Sequence, residues 1–145
     1  MHPALAHLPV GAWICSLLFD IGSRLTPRPA ALAEGAAWLI AIGVLGGLAA
    51  AVAGVADLRW IRPGSAAFRT ATVHMALNVT LIFGYAVDFG WRYRSHALRT
   101  PASSVVLAFS AVCVIVLAVS GFLGGRLAYE YGGLAAAGQR AGRGE

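Results

Sequence analysis

The chain has 145 residues, of which 59% are apolar and 12% are charged, and its net charge is +5. So short and apolar a sequence leaves no room for a second, water-soluble domain. All eleven basic residues are arginines. Because they are spread over every loop instead of lining one face, we expect no nucleic-acid partner.

Four apolar segments follow one another along the chain, and each is long enough to cross a bilayer. A hydrocarbon core about 30 Å thick needs roughly 20 helical residues, and short polar stretches with arginine or proline separate the segments. Such punctuation is typical of a polytopic membrane protein. The sequence therefore predicts an all-α, integral membrane antiparallel four-helix bundle in a lipid bilayer, with spans at about 4–23, 34–57, 69–91 and 102–127.

Further expectations concern the ends of the chain and the packing of the helices. Residues 1–132 are predicted to form the four-helix domain, and residues 133–145, rich in Gly, Ala and Arg, a flexible tail. A small excess of loop arginines on the side of the termini places both termini in the cytoplasm. Small-residue stripes on the second helix (Gly43, Gly47) and the fourth (Gly121, Gly125) predict close helix packing.

The two ends of such a bundle differ in chemistry, because the starts of odd helices and the ends of even helices share one membrane face. The second end, where the first and third helices finish, receives His96 and the pairs Asp20 with Arg24 and Asp88 with Arg92. The four-residue spacing of these pairs is typical of helix-surface salt bridges. We expect that end only to anchor the protein. The first end, which carries the candidate chemistry, receives His2, His7, Asp57, Arg69, His74 and Asn78.

The histidines of the first end predict a cofactor. His7 and His74 each lie on the order of 6 to 8 Å inside the start of their helices, and hence at similar depth. Two imidazoles on facing helices are an arrangement that holds a haem iron. The first hypothesis is a membrane redox subunit that binds haem b through His7 and His74, with His2 close by. Asn78 and Arg69 would hold the ligands or the haem propionates.

Two other hypotheses stay open. His2, His7, His74 and Asp57 are ligand types for zinc or copper, which would make the protein a metal-handling module or a membrane hydrolase. A non-catalytic assembly or stability subunit that docks a partner or a quinone needs no cofactor, because His74 and Asn78 can simply hydrogen-bond across the bundle. No catalytic residue is predicted, and an electron-transfer or accessory subunit is favoured over a stand-alone enzyme.

Four motifs in order also resemble a known family. They are residues 2–10 (HPALAHLPV), residues 54–57 (GVAD), Arg69 with His74 and Asn78, and residues 121–132 (GFLGGRLAYEYG). Together they resemble the bacterial integral-membrane family catalogued as domain of unknown function 2231. The resemblance implies a four-helix domain in the bacterial inner membrane. Because some members are joined to Rieske or cytochrome-like domains, it also suggests a redox or respiratory partner; a homodimer stays open.

Overall fold

The computed structural model describes residues 2–95 and 97–131, with side chains from residue 6 onward. The helices are α1 (His2–Ser23), α2 (Pro29–Leu58), α3 (Ala66–Arg94) and α4 (Ser104–Arg126). A 3₁₀ turn, Ala97–Arg99, lies between α3 and α4, and a π-helical turn, Leu127–Tyr131, follows α4. No strand occurs in this described part of the chain, so the all-α prediction is confirmed. His96 and the predicted tail 133–145 lie outside the described residues.

Local chemistry explains where three of the helices begin. Ser65 and Ser103 precede α3 and α4, and their hydroxyls accept hydrogen bonds from the amides of Phe68 (3.1 Å) and Val106 (3.2 Å). These bonds satisfy amides that have no partner inside the helix. Pro29 opens α2, a position that suits its fixed φ and missing N–H. Consequently α2 starts five residues before its predicted span, and α4 starts two residues after its own.

All four helices are long and apolar enough to cross a membrane. Between 22% and 33% of each apolar window is buried inside the bundle, so most of its surface must face another apolar medium. Large side chains such as Leu45, Phe83 and Ile115 are exposed. α1 and α3 each adjoin α2 and α4, whereas the backbones of α1 and α3 lie diagonally opposite one another.

Glycines of α2 allow side chains of α1 and α3 to pack directly against its backbone. A Cβ atom on Gly43 would collide with the indole of Trp13, and one on Gly47 would lie 2.9 Å from Ile82 Cγ1. The predicted packing role of this stripe is therefore confirmed. The same prediction for α4 is wrong within this chain, because Cβ atoms on Gly121 and Gly125 would meet nothing within 4 Å. Those two glycines face outward instead.

Two side-chain pairs cross the diagonal between α1 and α3 and define their register. The rings of Trp13 and Tyr85 stack with centroids 4.5 Å apart and planes inclined by 16°. Arg92 donates from Nη1 and Nη2 to the two carboxylate oxygens of Asp20, at 2.6 and 2.8 Å. In both pairs the residue numbers differ by 72, so α1 and α3 run in the same direction with a constant offset between their residue numbers.

Arg92 also binds Asp88, which makes a buried cluster of three charges. Its Nε lies 3.0 Å and its Nη2 2.9 Å from Asp88 Oδ2. The exposed fractions are 0% for Asp20, 8% for Asp88 and 3% for Arg92. The predicted pair of Asp88 with Arg92 is therefore confirmed, but it is buried and not on the helix surface, and the predicted pair of Asp20 with Arg24 is wrong. Asp20 lies on the interior face of α1, so it pairs across the bundle, and Arg24 donates instead to Ser104 Oγ at 3.3 Å.

Gly43→Ala tests whether close approach at α2 stabilises the bundle. The added methyl group must displace Trp13, so we expect a loss of about 1–3 kcal/mol in the free energy of unfolding. Thermal or denaturant unfolding of the purified protein in detergent measures it. Gly11→Ala is the matched control, because its methyl group meets nothing within 4 Å. Equal stability of the two variants would contradict the packing described.

Candidate functional site

His74 lies on α3 near the end of the bundle that the sequence marks as polar, and both of its ring nitrogens are engaged. Nδ1 lies 2.8 Å from the backbone carbonyl oxygen of Ser120 and 3.1 Å from the Ser120 hydroxyl. Nε2 lies 3.1 Å from Nδ2 of Asn78. The network assigns the ring proton to Nδ1, which donates to the carbonyl, and Nε2 accepts from the amide. His74 is thus held across the α3–α4 interface in one orientation.

Asn78 is fixed in turn by α3 itself. Its Nδ2 also donates to the backbone carbonyl oxygen of His74 at 2.9 Å, which holds the amide one turn away from the imidazole. The four-residue spacing predicted this contact, because residues i and i+4 share a helix face. The structure therefore joins two of the predicted site residues, His74 and Asn78, in one partly buried group.

Two residues of α4 complete this group, and the sequence interpretation missed both. Ser120 is fully buried and binds His74 through its carbonyl and hydroxyl groups. Gly124 leaves space for the ring, because a Cβ atom there would lie 3.0 Å from His74 Cε1. The spacing of Ser120 and Gly124, one turn apart on α4, was the available signal.

The register of α1 and α3 separates His7 from His74. With the offset of 72 defined by the two diagonal pairs, His74 is level with residue 2, and His7 is level with residue 79. Five residues of helix correspond to about 7.5 Å along the axis. His7 also lies about 120° around α1 from Trp13, and it is exposed. The expectation of equal depth for His7 and His74 is therefore wrong.

The backbone position of residue 2 differs from that of His7 in both respects. Counting back from Trp13, residue 2 is eleven residues away, within about 20° of three full turns, so it shares the face of α1 that carries Trp13 and Asp20. On α3, His74, Tyr85 and Arg92 repeat the same spacing. The numbers of residue 2 and His74 also differ by 72, so the two backbone positions are level along α1 and α3, as in the two diagonal pairs.

The remaining predicted ligands are on the surface. Asp57 at the end of α2 and Arg69 near the start of α3 are both exposed, and neither has a described contact with His74. Among the described side chains, those of residues 6–95 and 97–131, no group of three or more His, Cys, Asp and Glu that could hold a metal ion is found. The predicted zinc or copper set is therefore not assembled among the described side chains.

The His74 group has the chemistry of an oriented ligand as well as that of a packing contact. A metal-bound histidine usually donates its second ring N–H to a carbonyl or carboxylate, which fixes the ring and raises its basicity. The bond from Nδ1 to the Ser120 carbonyl has this form. It leaves Nε2 as the nitrogen that accepts from Asn78.

Comparison with known proteins agrees with the architecture. The family model described as "Predicted membrane protein (DUF2231)" matches residues 1–137, which is most of the chain. No curated protein and no solved structure matches significantly. The match extends over all four helices and includes His74, Asn78 and Ser120. The resemblance inferred from the four motifs is therefore confirmed, and the chain belongs to the DUF2231 family of membrane proteins.

Proposed function

We propose that this membrane protein is an electron-transfer subunit that binds haem b between α1 and α3, where His74 and His2 would hold the iron. The observation that carries the proposal is the equal spacing along the two helices, which makes residue 2 level with His74. Haem b held by two neutral imidazoles supplies reversible one-electron oxidation and reduction of its iron.

His74 supports the proposal through its orientation. The bond to the Ser120 carbonyl holds the imidazole in the tautomer that a ligand needs, with Nε2 as the coordinating nitrogen. Asn78 would release Nε2 on binding while remaining attached to the carbonyl oxygen of His74. Gly124 supports the same assignment, because any larger residue would press on the ring.

Residue 2 replaces His7 in this proposal for a geometric reason. Residues of α1 and α3 whose numbers differ by 72 already meet across the diagonal, as Trp13 with Tyr85 and Asp20 with Arg92 show. A haem bound by two histidines needs ligands at similar depth on opposite sides of the ring. His7, about 7.5 Å further along and on another face of α1, does not fit that requirement. Arg69, exposed at the start of α3, is the residue we assign to a haem propionate, because guanidinium pairs well with carboxylate.

An electron-transfer function also suggests where the protein is located and which proteins it contacts. The location that we propose is the bacterial inner membrane, with both termini in the cytoplasm, and the electron partner is a redox or respiratory membrane protein. The outward-facing Gly121 and Gly125 support a homodimer, since exposed small-residue stripes favour helix association in lipid. Light scattering in detergent, corrected for bound detergent, separates one copy from two; a monomer at all concentrations contradicts the dimer.

The spectrum of the protein purified from haem-replete cells tests the proposal. We expect a sharp α band and a red-shifted Soret band in the reduced-minus-oxidised spectrum. Both should be lost in His74→Ala and in His2→Ala and retained in His7→Ala, because only the first two positions are level. Gly124→Ala should broaden or shift the bands by moving the imidazole, whereas Gly121→Ala, which meets nothing, should leave them unchanged.

Two controls separate loss of haem from loss of fold. Circular dichroism and a melting curve should show that the histidine variants remain helical, and added imidazole should restore the spectrum of His74→Gly. A colourless wild-type protein would remove the haem proposal, and elemental analysis would then test zinc or copper. Less than one metal atom per chain would leave the accessory subunit. Loss of haem in His7→Ala but not in His2→Ala would contradict the register argument alone.

A further inference from the structure

The Asp20–Arg92–Asp88 cluster lies at the end of the bundle opposite to His74, and it is unbalanced in charge. Two carboxylates face one guanidinium, so the fully ionised cluster carries one uncompensated negative charge. All three side chains are more than nine-tenths buried. A net charge in such surroundings is strongly unfavourable, and a buried carboxylate of this kind commonly takes up a compensating charge.

The hydrogen bonds distinguish the two carboxylates. Asp20 accepts through both oxygens from Arg92, at 2.6 and 2.8 Å, so neither of its oxygens lacks a hydrogen-bond partner. Asp88 accepts from Arg92 only through Oδ2, and Oδ1 has no hydrogen-bond partner among the described residues. Oδ1 of Asp88 is therefore the atom best placed to carry a proton.

A cavity adjoins the cluster on the side of Asp20 and Arg92, and Asp88 is not among the residues that line it. It has a volume of about 340 Å³, and Asp20 and Arg92 form part of its wall. The rest of the wall comes largely from the segment that joins α3 to α4, including Thr100 and Ser103. The cavity is large enough for several water molecules and is lined by groups that can hydrogen-bond to them. Water in it would give protons a route to a cluster that lipid otherwise encloses.

We propose that the Asp20–Arg92–Asp88 cluster is a proton-binding site, which holds one proton on Asp88 and exchanges it with water that reaches the neighbouring Asp20 and Arg92 through the cavity. The step is a simple association of the carboxylate with a proton from water. It neutralises the cluster and leaves the Asp20–Arg92 pair intact. The proposal does not depend on the presence of haem at the other end.

The other titratable groups around Asp88 do not supply the missing charge. Asp88 interacts electrostatically with Asp20 on α1 and with Arg92 on α3. It also interacts with Tyr85 on α3 and with Cys113 on α4. Neither is cationic. α2 contributes no charged side chain to the cluster, since its Glu34 is exposed. A proton on Asp88 is the simplest compensation that these neighbours allow.

Infrared spectroscopy of the full chain in lipid nanodiscs tests the proposal. At neutral pH we expect one carbonyl band of a protonated carboxyl group, which shifts in D2O and disappears at high pH. Asp88→Asn should lose the band. Asp57→Asn, which removes an exposed carboxylate, should keep it. To assign the proton, Asp88→Glu should shift the band, whereas Asp20→Glu should leave it in place.

Stability against pH gives an independent measurement. The folded protein would hold a proton that the unfolded chain releases, so the stabilising contribution is present at low pH and is lost as pH rises. The melting temperature of the wild type should therefore fall with increasing pH more steeply than that of Asp88→Asn, which is uncharged at every pH. Absence of the carboxyl band would overturn the proposal. So would stabilisation by Na⁺ or K⁺ without a band, because a metal cation would then supply the charge.

Discussion

The bond between Arg92 and Asp20 is the interaction on which the rest of the structure depends. It joins α1 to α3 across the diagonal of the bundle, where the two backbones are not in contact. A guanidinium that binds a carboxylate through two parallel bonds has little positional freedom. The bond therefore fixes both the rotation of each helix and the offset between them. The stacked rings of Trp13 and Tyr85, seven residues away, obey the same offset.

That offset determines what the opposite end of the bundle can do. Because α1 and α3 run in the same direction, a register set at Asp20 and Arg92 is carried along the helices to His74. His74 is then level with residue 2, and the bond to Ser120 orients its imidazole. The two ends are thus connected by geometry, although their chemistries are separate. One end carries the His74 imidazole held by Ser120 and Asn78, and the other carries two carboxylates around one guanidinium, next to a cavity lined in part by Asp20 and Arg92.

The layer between the two ends consists mainly of apolar side chains and contains a few buried polar atoms. Trp13 Nε1, Tyr85 Oη and Ser110 Oγ are buried and have no hydrogen-bond partner within the described part of the chain. Such atoms are uncommon in folded proteins and usually indicate a water molecule or a function. Leu81, Cys113 and Leu117 belong to the same core cluster as Trp13 and Tyr85. These apolar side chains occupy the interior between Tyr85 and His74, so the described residues form no continuous polar path between the ends.

The sequence was sufficient for the number and order of the helices, because apolar segments of membrane length are local signals. It also predicted the pair of His74 and Asn78, which depends on helical spacing alone. It did not give the starts of α3 and α4, which the caps Ser65 and Ser103 mark. It could not give the depth of His7, since that depends on how far α1 is displaced along α3. For the same reason Asp20 was paired with Arg24, its neighbour in sequence, and not with Arg92. Long-range register is set by side chains that meet only in the folded bundle.

Charge exchange across the diagonal tests the central claim most directly. Asp20→Arg and Arg92→Asp each place like charges together in a buried site, so each should cost about 3–5 kcal/mol in the free energy of unfolding. The double variant restores opposite charges at the same two positions. We predict that it recovers a large part of that loss, measured by denaturant unfolding in detergent as a double-mutant cycle. If the double variant loses the sum of the two single losses, Asp20 and Arg92 are not partners and the proposed register is wrong.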